Sequence, residues 1–186
     1  GSADQTTIVS NAMEEAIGTS INVVRGYPGG PEIDLAIERG EIHCRGIGIT
    51  GHFAREPALT WHKTGFDRHI IQTGAKRDPR MPDTPTLIEL MDKKKTPELS
   101  RKVTQVLLGS KAIGRPMMAA PGLPADRLNT LRQAYVKALA EPELISELKK
   151  KRMSIDAIGG DEIEKVMRDI ISQPREVVER VKNLVE

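Results

Sequence analysis

Aromatic side chains are nearly missing from this chain: one tryptophan, two tyrosines and two phenylalanines make up 3% of its 186 residues. That is too few for the stacking platforms on which single-stranded nucleic acids lie. It also leaves aliphatic and methionine side chains to fill the core. A single cysteine, Cys44, excludes an internal disulfide. Charge of one sign is lacking as well, with 28 lysines and arginines against 26 acidic residues and a formal net charge of +2. So near a balance leaves no basic footprint for nucleic acid, and no nucleic-acid partner is expected. No apolar run approaches the length of a membrane span, and no signal-peptide pattern stands at the start. Internal repeats and low-complexity tracts are absent too.

What is present is a globular composition, 38% hydrophobic and 29% charged, in a length that builds one sizeable core or two small lobes. The most informative stretch is residues 21–49. Ile21 to Val24 is a β-branched run that predicts a short strand. Gly26-Tyr27-Pro28-Gly29-Gly30 is a turn cluster. Pro31 suits a first helical position, Glu32 and Asp34 place negative charge in the first turn, and Ile33, Ala36 and Ile37 keep helical spacing up to a stop at Gly40. Glu41 to Ile49 reads as a returning strand. A strand, a crossover helix and a second strand predict a parallel sheet and an α/β class. Ligands of such sheets sit outside the carboxyl ends of strands, so Gly26–Gly30 and Gly46–Gly51 are the segments expected to border a site.

Elsewhere the pattern is mostly helical. The polar lead from Ser2 to Thr7 precedes Ile8, Val9, Ala12, Met13, Ala16 and Ile17 at helical spacing. A short helical piece is expected near Pro57–His62, a third strand over Phe66–Thr73, and an irregular proline-rich connection over Asp78–Thr86. Thr96-Pro97-Glu98 opens a helix. Pro116–Ala120 is a candidate strand, followed by the longest helix, Pro124–Ala140, with Leu128, Leu131, Tyr135, Ala138 and Leu139 inward. Three more helices are expected: from Pro142, from a capping-box-like Asp161–Glu164, and after Pro174. The division is therefore 1–75 as an α/β unit, 76–112 as a connection with short helices, and 113–186 as a mostly helical unit.

Three segments carry a resemblance. Gly26-Tyr27-Pro28-Gly29, followed by Glu32-Ile33 and Leu35-Ala36-Ile37-Glu38-Arg39-Gly40-Glu41, is similar to the substrate-binding receptors of tripartite tricarboxylate transporters, the Bug-type receptors. Pro82-Asp83-Thr84-Pro85-Thr86 resembles the "LPDVPT" loop of that family, and the run from Arg115 to Arg127 resembles its "APxGxPxxR" segment. Each motif alone is unspecific, but their order and spacing cover nearly the whole chain. The resemblance implies a periplasmic solute-binding receptor of the type II flytrap architecture, two α/β lobes closing on a small organic acid. Its implied partners are that carboxylate and the membrane transporter subunits, with no cofactor, no metal and no catalysis. It implies further that 1–75 is lobe two, that 113–186 returns to lobe one, and that the family's N-terminal segment and secretion signal are outside this sequence.

The candidate ligand residues follow from both readings. Gly1, Ser2, Asp4 and Thr6 precede or open a helix whose free N–H groups suit a carboxylate, and the resemblance places a ligand loop there; the bland alternative is an ordinary N-cap. Gly48, Thr50 and Gly51 leave the second expected strand, where the family usually offers an acidic or hydroxyl group and this chain offers only Thr50. A bulged strand end is the alternative. Tyr27 matches the aromatic of the family's turn and either lines the cleft or packs at a hinge. An α/β enzyme using Cys44 or a histidine is the competing function, but on a strand His43 and Cys44 point to opposite faces, which favours a buried, inert thiol. His52, His62 and His69 fit no short zinc-motif spacing, and no metal site is expected. Lys93–Lys95 and the basic run from Lys149 read as solvated helix ends. Finally, the C-terminal helices have apolar faces with only one candidate strand to cover, so self-association and ligand contact from one side alone are expected.

Overall fold

The computed structural model describes residues 5–113, 116–151, 153 and 157–185. Among them it has ten helices: α1 (Gln5–Ile17), α2 (Gly30–Glu38), α3 (Ile49–Ala54), α4 (Ala58–Thr64), α5 (Leu87–Lys94), α6 (Glu98–Ile113), α7 (Ala125–Leu139), α8 (Pro142–Lys150), α9 (Gly160–Ile171) and α10 (Arg175–Val185). The α/β flytrap expectation is overturned: among the described residues there is no sheet, and the one strand-like pairing is a parallel bridge between Gln72 and Thr86. Its hydrogen bonds run from Gln72 N–H to the Pro85 carbonyl at 2.9 Å and from Leu87 N–H to the Gln72 carbonyl at 2.8 Å.

The reason lies in the difference between extension and pairing. A β-branched run makes a segment extended, but a strand is stabilised by a partner edge and by a layer that covers its apolar face. Residues 21–24, 41–48 and 66–71 find no partner edge, and of their apolar side chains only Ile21 and Ile71 pack against the core. Val24, Ile47, Phe66 and Ile70 remain 52%, 38%, 53% and 59% exposed. Glu41, His43 and Arg45 also put polar side chains on one face of the expected return strand, where a parallel strand covered on both faces is apolar, and from Ile49 the chain coils into α3 rather than completing a ladder. Pro116–Ala120 is likewise unpaired, with Met117 and Met118 almost fully exposed. Cys44 is exposed as well, contrary to the buried thiol expected of a packed strand.

The helices form where capping and spacing place them. Pro31 occupies the first turn of α2 and Glu32 adds its charge there. Thr86 caps α5 in a capping box with Glu89, each side chain satisfying the other's backbone N–H. Gly40 and Gly65 take positive φ of 73° and 72° just past α2 and α4, a conformation that a side chain would strain.

One core joins the two ends of the chain. Ala12, Met13 and Ala16 of α1 pack with Leu87 and Met91 of α5, Val103 and Leu107 of α6, and Val177 of α10. Small residues on α1 allow its backbone to approach α6 closely. Thr96 Oγ1 donates to the Ala16 carbonyl at 2.6 Å, and Lys94 Nζ donates to that of Ile17 at 2.6 Å, so α5 and the start of α6 finish α1's C-terminus. Asn11 Nδ2 donates to the Leu184 carbonyl, which ties α10 to the same bundle. A helix α9 leans on α6, where Ile170 lies over Gly109.

Helix α7 differs from its expected role. None of its residues is buried, and Leu131, Tyr135 and Val136 are 55%, 41% and 55% exposed. It keeps contact with α8, and Arg132 links it to the start of α9 through Asp161 at 2.7 Å and through Glu164. The inward face predicted for α7 has no sheet to cover.

Candidate functional site

Gly1, Ser2 and Asp4 lie outside the described residues. Thr6 sits in the first turn of α1, and its Oγ1 donates to the Gly46 carbonyl at 3.4 Å across 40 residues of sequence. The approach needs glycine at 46, because a Cβ there would lie 3.5 Å from the Thr6 Cα. The two segments picked out in the sequence, the α1 start and the 46–51 loop, thus come together. Gly48 is the extended residue before α3, and Thr50 and Gly51 form α3's first turn, both half-buried. Tyr27 is half-buried in the connection between α1 and α2.

Arg45 is the residue that sequence reading passed over. Its Nη1 donates to the Gly30 carbonyl at 3.1 Å and pairs with Asp34, so it draws the Gly26–Gly30 turn and the opening of α2 toward the Gly46 loop. Its side chain is only 16% exposed. Its Nε–H is buried and has no acceptor. A buried, unpaired guanidinium donor is costly, and Arg presents its donors in a planar fork that matches a carboxylate. The sequence signal was faint: an arginine one position before a glycine, on a segment expected to be a strand.

Beside this junction stands a second polar cluster. His52 of α3, His62 in the last turn of α4, and Asp67 and His69 just beyond Gly65 turn their ligand atoms toward one another, all within 4.8 Å. His52 Nε2 lies 3.0 Å from Asp67 Oδ2 and 2.7 Å from His69 Nε2, and His69 Nε2 lies 3.5 Å from the same oxygen. His62 Nδ1 stands 3.9 Å from Asp67 Oδ1. Burial, and then the neighbouring His69, hold His52 below the ordinary imidazole range, with Asp67 opposing them. The Phe53 ring meets His52 and His62 edge-on at 4.9 and 5.1 Å, and the Arg80 guanidinium covers Phe53 at 4.8 Å. Sequence spacing does not reveal this group, because its members come from two short helices and an irregular turn rather than from one motif.

A separate hollow lies elsewhere. A cavity of about 400 Å³ lies between α1, α6 and α10, lined by Glu15, Leu99, Ser100, Glu176, Glu179 and Arg180 among others. Its three carboxylates face one arginine, which already pairs with Glu15 at 3.0 Å, so it repels rather than invites an acid. Compared with known proteins, the chain matches no protein-family model, no curated protein and no solved structure.

Proposed function

We propose that the protein is a solute-binding receptor that captures a small organic acid, without catalysis, for a membrane transporter. The observation that carries the reading is Arg45, whose buried Nε–H lacks an acceptor at the point where the Thr6, Gly30 and Gly46 segments converge. A ligand carboxylate supplies the missing acceptor and takes further hydrogen bonds from glycine N–H groups and from the Thr50 hydroxyl. The order of the Tyr-Pro-Gly, Pro-Asp-Thr-Pro-Thr and Ala-Pro-Gly-Leu-Pro segments supports the same class of ligand through the receptor resemblance. Periplasmic location and transporter subunits as partners belong to this proposal. A thermal-shift screen of di-, tri- and aromatic carboxylates at millimolar concentration tests it. At least one acid raises the melting temperature of the protein; if none does, the receptor reading is wrong.

A further inference from the structure

Among the described residues, Asp67 has two buried side-chain oxygens without a hydrogen-bond partner. A carboxylate in that position needs a cation or a set of donors, and what faces it is three imidazole rings. Nitrogen and oxygen ligands bound at about 2.0–2.1 Å in a tetrahedron stand roughly 3.3 Å from one another. The separations of 3.0 and 3.5 Å from Asp67 Oδ2 to His52 and His69 bracket that edge length, and the 2.7 Å between His52 and His69 is somewhat shorter. His62 stands farther out, 3.9 Å from the other oxygen, Oδ1, in a set whose ligand atoms lie within 4.8 Å of one another, so an ion would draw it inward.

We propose that His52, His62, Asp67 and His69 bind one divalent first-row transition-metal ion, with zinc the best-suited ion. Three imidazoles and one carboxylate are a borderline-soft set that favours Zn, Co, Ni and Cu over Mg and Ca, and zinc takes such a set without a geometric penalty. Four protein ligands leave no open position, so the ion is structural rather than catalytic. The local need for it is visible. Between Ile49 and His69 the buried residues are His52, Ala58 and Trp61 alone, too little apolar surface to hold two short helices, and a metal supplies that missing cohesion directly. The Thr84 hydroxyl donates to the His69 backbone carbonyl at 3.5 Å, which holds the chain at that position, and Phe53 packs edge-on to the His52 ring. The site lies outside the carboxylate junction and stands whether or not that junction binds an acid.

The test uses the full chain stripped with a chelator and dialysed free of carboxylate buffers. Zinc added alone binds at one ion per chain and raises the melting temperature. Cobalt(II) added instead gives the intense visible d–d bands of a tetrahedral nitrogen–oxygen set, a direct reading of the ligands that needs no variant. Asp67→Asn and His69→Ala lower zinc affinity by more than the 10–100-fold that follows from losing an outer-shell partner. His43→Ala, which changes the exposed histidine outside the cluster, leaves affinity unchanged. The proposal is overturned if zinc causes no shift, if cobalt gives only the weak bands of an octahedral aqua ion, or if His43→Ala weakens binding as much as Asp67→Asn. Failure of the acid screen with success here would remove the receptor reading and leave the metal site standing.

Discussion

At the scale of single residues, the molecule relies on a few side chains that close polar accounts. Thr86 is 2% exposed and accepts from Glu89 N–H at 3.2 Å, while Glu89 accepts from Thr86 N–H at 2.7 Å. Removing the hydroxyl in Thr86→Ala costs about 1 kcal/mol, as loss of a helix cap does, and equilibrium urea unfolding reads it. The Thr86 N–H, followed by Arg77, holds the Glu89 carboxyl below its ordinary value of 4.5. Asp78, hydrogen-bonded to Arg80, is held below 3.8 in the same way. Because the folded values are the lower ones, the unfolded chain binds more protons in acid, so this stability is complete above the ordinary values and is lost as pH falls through the folded ones. Glu89→Gln is therefore less stable than the native protein at neutral pH, and the gap closes on acidification below about 4. A gap that persisted unchanged at pH 2 would contradict the capping role. Of the residues at the proposed acid site, Thr6, Gly46 and Thr50 were legible because helix starts and glycine-rich exits have recognisable composition. Arg45 and the histidine–aspartate cluster were not. Their significance depends on which distant segments meet, and no spacing along the chain encodes that.

At the scale of elements, the helices other than α3 were readable and the strands were not. Caps and stops are local chemistry: Pro31 and Glu32 in α2 and Glu98 in the first turn of α6 each act within a few residues of themselves. A strand is a two-body object, and the extended stretches at 21–24 and 41–48 find no edge to join. The α6–α9 contact shows how one element depends on another. An added Cβ at Gly109 would come within 2.6 Å of Ile170 Cδ1. Gly109→Leu therefore keeps α6 helical, since leucine is the better helix former, but drives α9 away. Hydrogen exchange at α9 amides should rise while α1 and α5 keep their protection. Uniform loss of protection, or none, would show that α9 is not held through this contact. In the main core, Leu87→Ala empties a site only 1% exposed and lowers stability by about 2–5 kcal/mol, a larger change than any of the surface ion pairs can give.

At the scale of the whole molecule, a helical bundle of α1, α5, α6 and α10 forms the core, and the α2–α4 region carries the polar sites at one side of it. Helix α7 leaves Leu131, Tyr135 and Val136 uncovered, and Met117 and Met118 in the segment that precedes it in sequence are exposed as well. Apolar patches of that kind promote association, so sedimentation velocity at rising concentration should show a growing oligomer fraction that Leu131→Glu removes. A strict monomer at all concentrations would contradict this. The central claim, however, is that Arg45 awaits an acid. Titration calorimetry of the most stabilising carboxylate into the native protein and into Arg45→Lys is the most direct measurement of it. Lysine keeps the positive charge beside Asp34 but has no planar fork to offer. The account predicts one site per chain and an affinity at least about tenfold weaker in Arg45→Lys, the loss expected for one charge-assisted hydrogen bond. Equal affinity in the two proteins would contradict it.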